Sequence, residues 1–134
     1  ILSLQNISNI TDTGARGGGN VTDDGNSSVT LRGICWNTSP NPTTNDNLWG
    51  EENGLGTFTC DITGLTLGTT YYVRAFAINS LGTAYGNEVS FTTLGLPTVT
   101  TNAISSVTPT GAISGGNVTS DGNSPVTARG ICWH

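Results

Sequence analysis

The chain has 134 residues, a formal net charge of −5, no lysine, four arginines and nine carboxylates. No basic cluster is present to neutralise phosphates, which argues against nucleic acid and against an anionic membrane surface as partners. No apolar run approaches the roughly 18 residues that a membrane-spanning helix needs, so membrane insertion is not expected. The length suits one domain with a real core and is too short for two full ones. Ser and Thr together supply 35 residues, with 19 Gly and 14 Asn. With little Leu, Ala or Glu, this composition favours short strands and turns over helices. The apolar residues are regularly spaced and include nine aromatics, which points to a folded, all-β chain. The absence of methionine and the start at Ile1 suggest part of a longer or processed polypeptide, and no signal peptide is visible.

In chain order, residues 1–10 supply a first strand region. Residues 15–22 form a Gly-rich strand closed by Asp23-Asp24-Gly25-Asn26, a hairpin turn signal. Residues 29–36 form the next strand. Residues 37–56 are polar and punctuated by Pro, Asn and Gly, a long loop with room for one short edge strand. Residues 57–63 alternate Phe58, Cys60 and Ile62 on one face. Residues 70–79 place Tyr71, Val73, Ala75 and Ala77 on one face and Tyr72, Arg74 and Phe76 on the other. Residues 84–92, with Val89 and Phe91, complete a set of about seven strands, the number of an immunoglobulin-like sandwich. Thr93-Leu94-Gly95-Leu96-Pro97 then makes a short, stiff connector, since Pro holds the preceding residue extended.

After the connector the chain repeats itself. GGNVTDDGNSSVTLRGICW, starting at Gly18, returns as GGNVTSDGNSPVTARGICW, starting at Gly115, an offset of 97 residues. Residues 13–37 match residues 110–134 at 19 of 25 positions, and extension back to Ile7 and Ile104 adds three matches. A period of 97 is too long for a solenoid turn and right for a whole β-sandwich. The expected organisation is a complete unit over residues 1–95, followed by residues 96–134 as the first strands of a second unit. That second part should not fold by itself.

The stretch Leu65-Thr66-Leu67-Gly68-Thr69-Thr70-Tyr71-Tyr72-Val73-Arg74-Ala75 resembles the segment leading into the sixth strand of fibronectin type III domains. In that family a core Leu precedes a turn and a Tyr folds its hydroxyl back onto the chain. Asn79 and Gly82 fall where the family turns between its last two strands, and Leu67 replaces a usual Pro. With GGNVTSDG, ARGICW, GTTYYVRAFAIN, GTAYGNEVSFTT and LPTVTT, the whole chain resembles the tandem fibronectin-III-like repeats of large secreted Bacteroidetes surface proteins. The resemblance implies fold and tandem architecture, and says little about activity.

The period organises the three cysteines. Cys132 is Cys35 plus 97, with its partner expected beyond the chain end, which leaves Cys35 and Cys60 as a pair within one unit. A bridge there would contribute about 3 kcal/mol in the chain-entropy model, and an oxidising compartment suits it. The alternative is two buried thiols acting as small hydrophobes. The faces decide: if Cys35 turns to the core to meet Cys60, Trp36 turns outward, and if Trp36 is core, Cys35 lies outside and no bridge forms.

Catalysis is not expected. The only histidine, His134, has Asn37 as its counterpart, and no nucleophile elbow or metal-type spacing is present. No cofactor and no metal are expected. Asp23 and Asp24 suggest a cation loop, but the second copy keeps Gly122 and Asn123 and replaces one carboxylate by Ser120, as a turn would. Asp46, Glu51 and Glu52 read as solvated charges. Trp49 and Trp36, with Tyr72 and Tyr85, are the candidates for stacking on a sugar ring, against the plainer reading of Trp49 as a cap on the sandwich edge. Glycosylation sequons occur at Asn6, Asn9, Asn20, Asn26, Asn37 and Asn117. Asn20 and Asn117 correspond across the repeat, and the plainer reading is of ordinary polar strand and turn residues.

The leading expectation is a structural repeat of an extracellular bacterial stalk, adhesin or filament, a rigid spacer whose partners are neighbouring repeats or subunits, with strand complementation as one mode of assembly. The alternative is a carbohydrate-binding or spacer module of a secreted polysaccharide-active enzyme.

Overall fold

The computed structural model describes residues 1–52 and 54–134 and contains no helix among them. Nine strands run β1 (Leu2–Leu4), β2 (Ala15–Val21), β3 (Leu31–Asn37), β4 (Asn47–Glu51), β5 (Gly56–Ile62), β6 (Thr70–Asn79), β7 (Gly82–Thr92), β8 (Thr98–Thr101) and β9 (Gly116–Ser120). They form three antiparallel sheets, ordered β1-β2-β5, β4-β3-β6-β7 and β8-β9.

Alternation brings the first two sheets together. Phe58, Cys60 and Ile62 of β5 turn inward while Thr57, Thr59 and Asp61 stay exposed. From the other sheet come Ile34, Tyr71, Val73, Ala75, Ala77 and Phe91, in one core cluster with Leu4, Ala15 and Val21. The result is a sandwich-like fold with the core between the sheets. The short edge strand expected within residues 37–56 is β4. One expectation is corrected. The turn at Asp23–Asn26 does not close a hairpin, because β2 pairs with β1 and β5 while β3 pairs with β4 and β6. The chain crosses there from one sheet to the other.

Glycines in β2 set the spacing of the first sheet. A Cβ at Gly18 would collide with the carbonyl oxygen of Phe58, and one at Gly19 would lie 2.8 Å from the Phe58 ring. Without side chains at these places, β5 and its aromatic can press against β2.

The exit from this fold is held by hydroxyls. The Tyr71 ring stacks on Phe91 at 5.9 Å, and its hydroxyl accepts a hydrogen bond from the Thr66 N–H at 3.0 Å. This is the Tyr that folds back onto the chain. Thr93 is fully buried; its hydroxyl donates to the Thr66 carbonyl at 2.7 Å and accepts from the Thr69 N–H at 2.9 Å. Leu94 follows, its N–H on the Thr11 carbonyl (3.0 Å) and its carbonyl accepting from Gly68 (2.9 Å). At the opposite end the Ile1 amine donates to the Asp23 carbonyl at 2.8 Å, beside Asn79 and Gly82. The chain therefore enters this body at one end and leaves at the other.

Beyond the connector, β8 and β9 pair as β1 and β2 do. Leu2↔Val21, Ser3↔Asn20 and Leu4↔Gly19 reappear as Val99↔Val118, Thr100↔Asn117 and Thr101↔Gly116, each 97 residues on. The isolated bridge Ser8↔Arg16 likewise reappears as Ser105↔Ile113. The counterpart of β3 forms no strand. Ile34 is 0% exposed and its counterpart Ile131 is 49% exposed, with Trp133 at 85%.

Two substitutions separate the contributions at the corner. Thr93→Val keeps the shape but removes the buried hydroxyl that serves both the Thr66 carbonyl and the Thr69 N–H, and should cost about 2 kcal/mol. Tyr71→Phe removes one hydrogen bond and should cost about 1 kcal/mol. Urea unfolding of both variants checks the order, which reverses if the buried hydroxyl is not the anchor.

Candidate functional site

β3 is buried on both faces. Ile34 and Trp36 pack into the core, whereas Cys35 lies opposite Arg74, and Gly33 opposite Phe76, on the outer face of the four-stranded sheet. Phe76 is nevertheless 0% exposed, and residues 38–46 fold over that face beside it. Pro42 is fully buried there. Its carbonyl faces the Cys35 thiol at 3.5 Å and accepts from the Arg74 guanidinium at 3.4 Å. The Asn41 N–H donates to the Glu88 carboxylate, and the Thr44 N–H to the Tyr85 hydroxyl at 3.1 Å. Arg74 also lies over the Tyr85 ring, 4.2 Å from its centre. Within the loop, Asp46 accepts from the Thr43 N–H (2.8 Å) and the Asn37 amide (2.9 Å).

The expected bridge between Cys35 and Cys60 is corrected by this arrangement. Cys35 points away from the second sheet and Cys60 into the core, so their side chains cannot meet, and all three cysteines are free thiols. Of the two readings left open by alternation, the one with Trp36 inside and Cys35 outside is realised. Burial pushes the Cys35 thiol up to about 11, with Arg74 partly opposing it, and the Cys60 thiol up to about 12. Both are protonated and inert at neutral pH.

The aromatic candidates for sugar stacking are occupied by the protein itself. Trp49 stacks on Phe58 with ring centres 6.3 Å apart, and Trp36 packs against the core. Tyr85 carries Arg74, and Tyr72 is half-buried on the outer face beside Asn37 and Ser90. The residue that sequence reasoning passed over is Arg32. It is 3% exposed and its guanidinium sits 5.2 Å from the Phe58 ring centre. Glu51 pairs with it at 2.7 Å, and the carbonyls of Gly54, Gly56 and Thr57 accept from it at 3.2, 3.0 and 3.4 Å. This bonding closes the open side between β4 and β5.

The acidic residues are dispersed rather than convergent. Asp23 and Asp24 cap the N–H groups of Gly25 and Asn26 at 2.8 and 2.9 Å, Glu51 serves Arg32, and Asp61 pairs with Arg16 at 2.9 Å. The hydrogen bond and charge of Arg16 lower the Asp61 pKa. Among the described residues, no three His, Cys, Asp or Glu side chains converge on a metal position. Of the sequon asparagines, Asn6, Asn9, Asn26 and Asn117 are exposed, while Asn20 and Asn37 are half-buried.

The remaining surface of interest is the joint. The Gly95 N–H donates to the Gly122 carbonyl at 2.8 Å, and a Cβ at Gly95 would lie 2.8 Å from the Gly68 Cα. A Cβ at Gly122 would run into the Gly95 and Leu96 carbonyls. Three glycines thus let the turn at Ser120–Asn123 rest on the connector, and the connector rest on the Tyr71 corner.

No protein-family model matches the chain, and no curated protein does. Among solved structures it is similar to the sensor domain of the anti-sigma factor RsgI4 of Pseudobacteroides cellulosolvens. A short form of that domain gives a TM-score of 0.53 at 19% identity, covering 72% of this chain and 95% of that one. A solution structure of the same domain gives 0.51 at 19% identity, covering 71% and 75%. The likeness is one of fold. Among the described residues no helix is long and apolar enough to cross a membrane.

The thiols provide the test of this site. At about pH 8 iodoacetamide should modify Cys132 alone in the folded chain and all three cysteines after unfolding, by intact mass. A native mass two hydrogens lighter, with Cys35 and Cys60 unreactive after unfolding, would restore the bridge. The folded state holds these thiol protons more tightly than the unfolded chain, so their contribution is fully present below about pH 9. It is lost as pH rises toward 11 and 12. The fall in urea midpoint between about pH 8 and about pH 10.5 should be shallower in Cys60→Ala than in the parent chain.

Proposed function

We propose that the chain is a structural repeat of an extracellular bacterial stalk, adhesin or filament, acting as a rigid spacer. In this reading residues 1–95 are one immunoglobulin-like unit of seven strands and residues 96–134 begin the next. The observation that carries it is the course of the chain, which enters at Ile1 and leaves at Leu94 on the opposite end, with the connector pinned to both bodies. Units joined this way add length in one direction. The pairing repeated at 97 residues supports the tandem architecture. The resemblance to secreted surface repeats supports the extracellular setting. The partners are neighbouring repeats, and no chemistry is assigned to the unit.

An 11-residue β7 at about 3.3 Å per residue makes a unit roughly 35–40 Å long. Electron micrographs of the native material should show filaments with that axial period, labelled by antibody on intact cells. Dispersed globular particles, or antigen accessible only after lysis, would sink the proposal. The carbohydrate-binding reading is tested by Trp49→Ala. Because Trp49 stacks on Phe58, the substitution should cost about 2 kcal/mol of stability and change no glycan affinity.

A further inference from the structure

Residues 98–134 expose what residues 1–37 bury. Val99, Ile104, Val107, Ile131 and Trp133 are exposed, and their counterparts Leu2, Ile7, Ile10, Ile34 and Trp36 all pack in or against the core. β9 also keeps an open edge, the one at which β2 receives β5. The glycines say what that edge is shaped for. Gly116 is explained within the hairpin, since a Cβ there would lie 2.5 Å from the Thr100 carbonyl. Gly115 is not, because a Cβ there would meet only the tip of the Asn102 side chain at 3.3 Å. Its counterpart Gly18 is the place where a Cβ would strike the Phe58 carbonyl. The third glycine of the run, Gly17, becomes Ser114. A Cβ at Gly17 would touch only methyl tips, those of Ile34 and Ile7 at 3.2 Å and that of Ile62 at 3.8 Å. The second copy thus keeps glycine where an incoming backbone needs it and drops glycine where only a side-chain tip must give way.

We infer that residues 112–118 are the receiving edge for an antiparallel strand of the Gly56–Ile62 type, supplied by further repeat sequence of the kind seen in residues 38–95, with an aromatic residue opposite Gly116. The assignment rests on the reading of residues 98–134 as the start of a second unit and adds the specificity of its edge. In the first unit Gly19 faces Phe58, Gly18 faces Thr59 and Arg16 faces Asp61, with Arg16 and Asp61 paired. Ile113 replaces that arginine. The cognate strand therefore differs from β5 at the place of Asp61, where a β-branched apolar residue fits and a carboxylate loses its partner. Units are distinguished by this cross-strand pair, and backbone pairing supplies the attachment.

The test continues the full chain in frame with a further copy of residues 38–95 and follows amide exchange at Gly116 and Val118, whose N–H groups face the open edge while Gly115 and Asn117 are turned to β8. Protection should appear at these two to match Gly19 and Val21, with Trp133 emission shifted to the blue. Gly115→Ala should abolish that protection, yet leave the unfolding midpoint of the 134-residue chain unchanged. Valine in place of the aspartate of the added strand should raise the protection about threefold. If the added unit folds and Gly115→Ala leaves protection intact, the strand does not sit at this edge and the inference fails while the tandem reading stands. If the added unit does not fold at all, both fail.

Discussion

Phe58 is the residue around which the two sheets close. Its carbonyl and ring forbid side chains at Gly18 and Gly19, its face carries Trp49, and the guanidinium of Arg32 covers it. The glycine run of β2, the edge strand β4 and the buried arginine of β3 are therefore three consequences of one aromatic placed where the sandwich would otherwise gape. A guanidinium taken out of water is costly unless each of its donors is met. Here a carboxylate and three carbonyls meet them. Loss of Glu51 or of the course of residues 54–57 would leave that charge stranded, so the edge strand and the following turn are bound to the same node.

What the sequence disclosed follows from which faces are wet. β5 alternates cleanly because its other residues meet solvent. β3 does not alternate. Arg32, Gly33, Ile34 and Cys35 are all buried, since the sandwich lies on one side and residues 38–46 on the other. A run buried twice carries no phase, and the face of Cys35 could not be read from it. The covering loop is polar in composition. It is held by long-range contacts, Pro42 with Arg74 and Thr44 with Tyr85, which no local pattern announces. The same limit explains the misread turn at Asp23–Asn26: its residues specify a reversal, but not whether the strands it joins share a sheet. Thr93 reads in the sequence as the first residue of the connector, and only the fold makes its hydroxyl the anchor of the exit.

The repeat was the most informative feature because it converts sequence into register. A pairing seen once in residues 1–21 is seen again in residues 98–120 with the same partners. The exposed apolar residues of the later segment then correspond to core positions of the earlier one. Isolated, each would be an unremarkable surface valine or isoleucine. Taken at an offset of 97, they fall at the places where Leu2, Ile7, Ile10, Ile34 and Trp36 pack in or against the core.

The two copies of the crossing turn also resolve the question of its carboxylates. Gly25 and Gly122 have φ of 69° and 68°, and Asn26 and Asn123 both have 63°, so the backbone is the same. Asp24 and Asp121 both cap the asparagine N–H, at 2.9 Å. Asp23 caps Gly25 at 2.8 Å, and Ser120 caps Gly122 at 3.2 Å with a hydroxyl. The exchange keeps the hydrogen bond and discards the charge, so the shape of the turn does not depend on a carboxylate at that place. Glycine at the third place meets two demands. Its φ suits a residue without Cβ, and at Gly122 the absent Cβ is also what lets the connector approach. At Gly25 the space where a Cβ would stand is open. The turn that caps itself with whatever oxygen is available is thus the element on which one body rests against the next, and its acidity is incidental to that task.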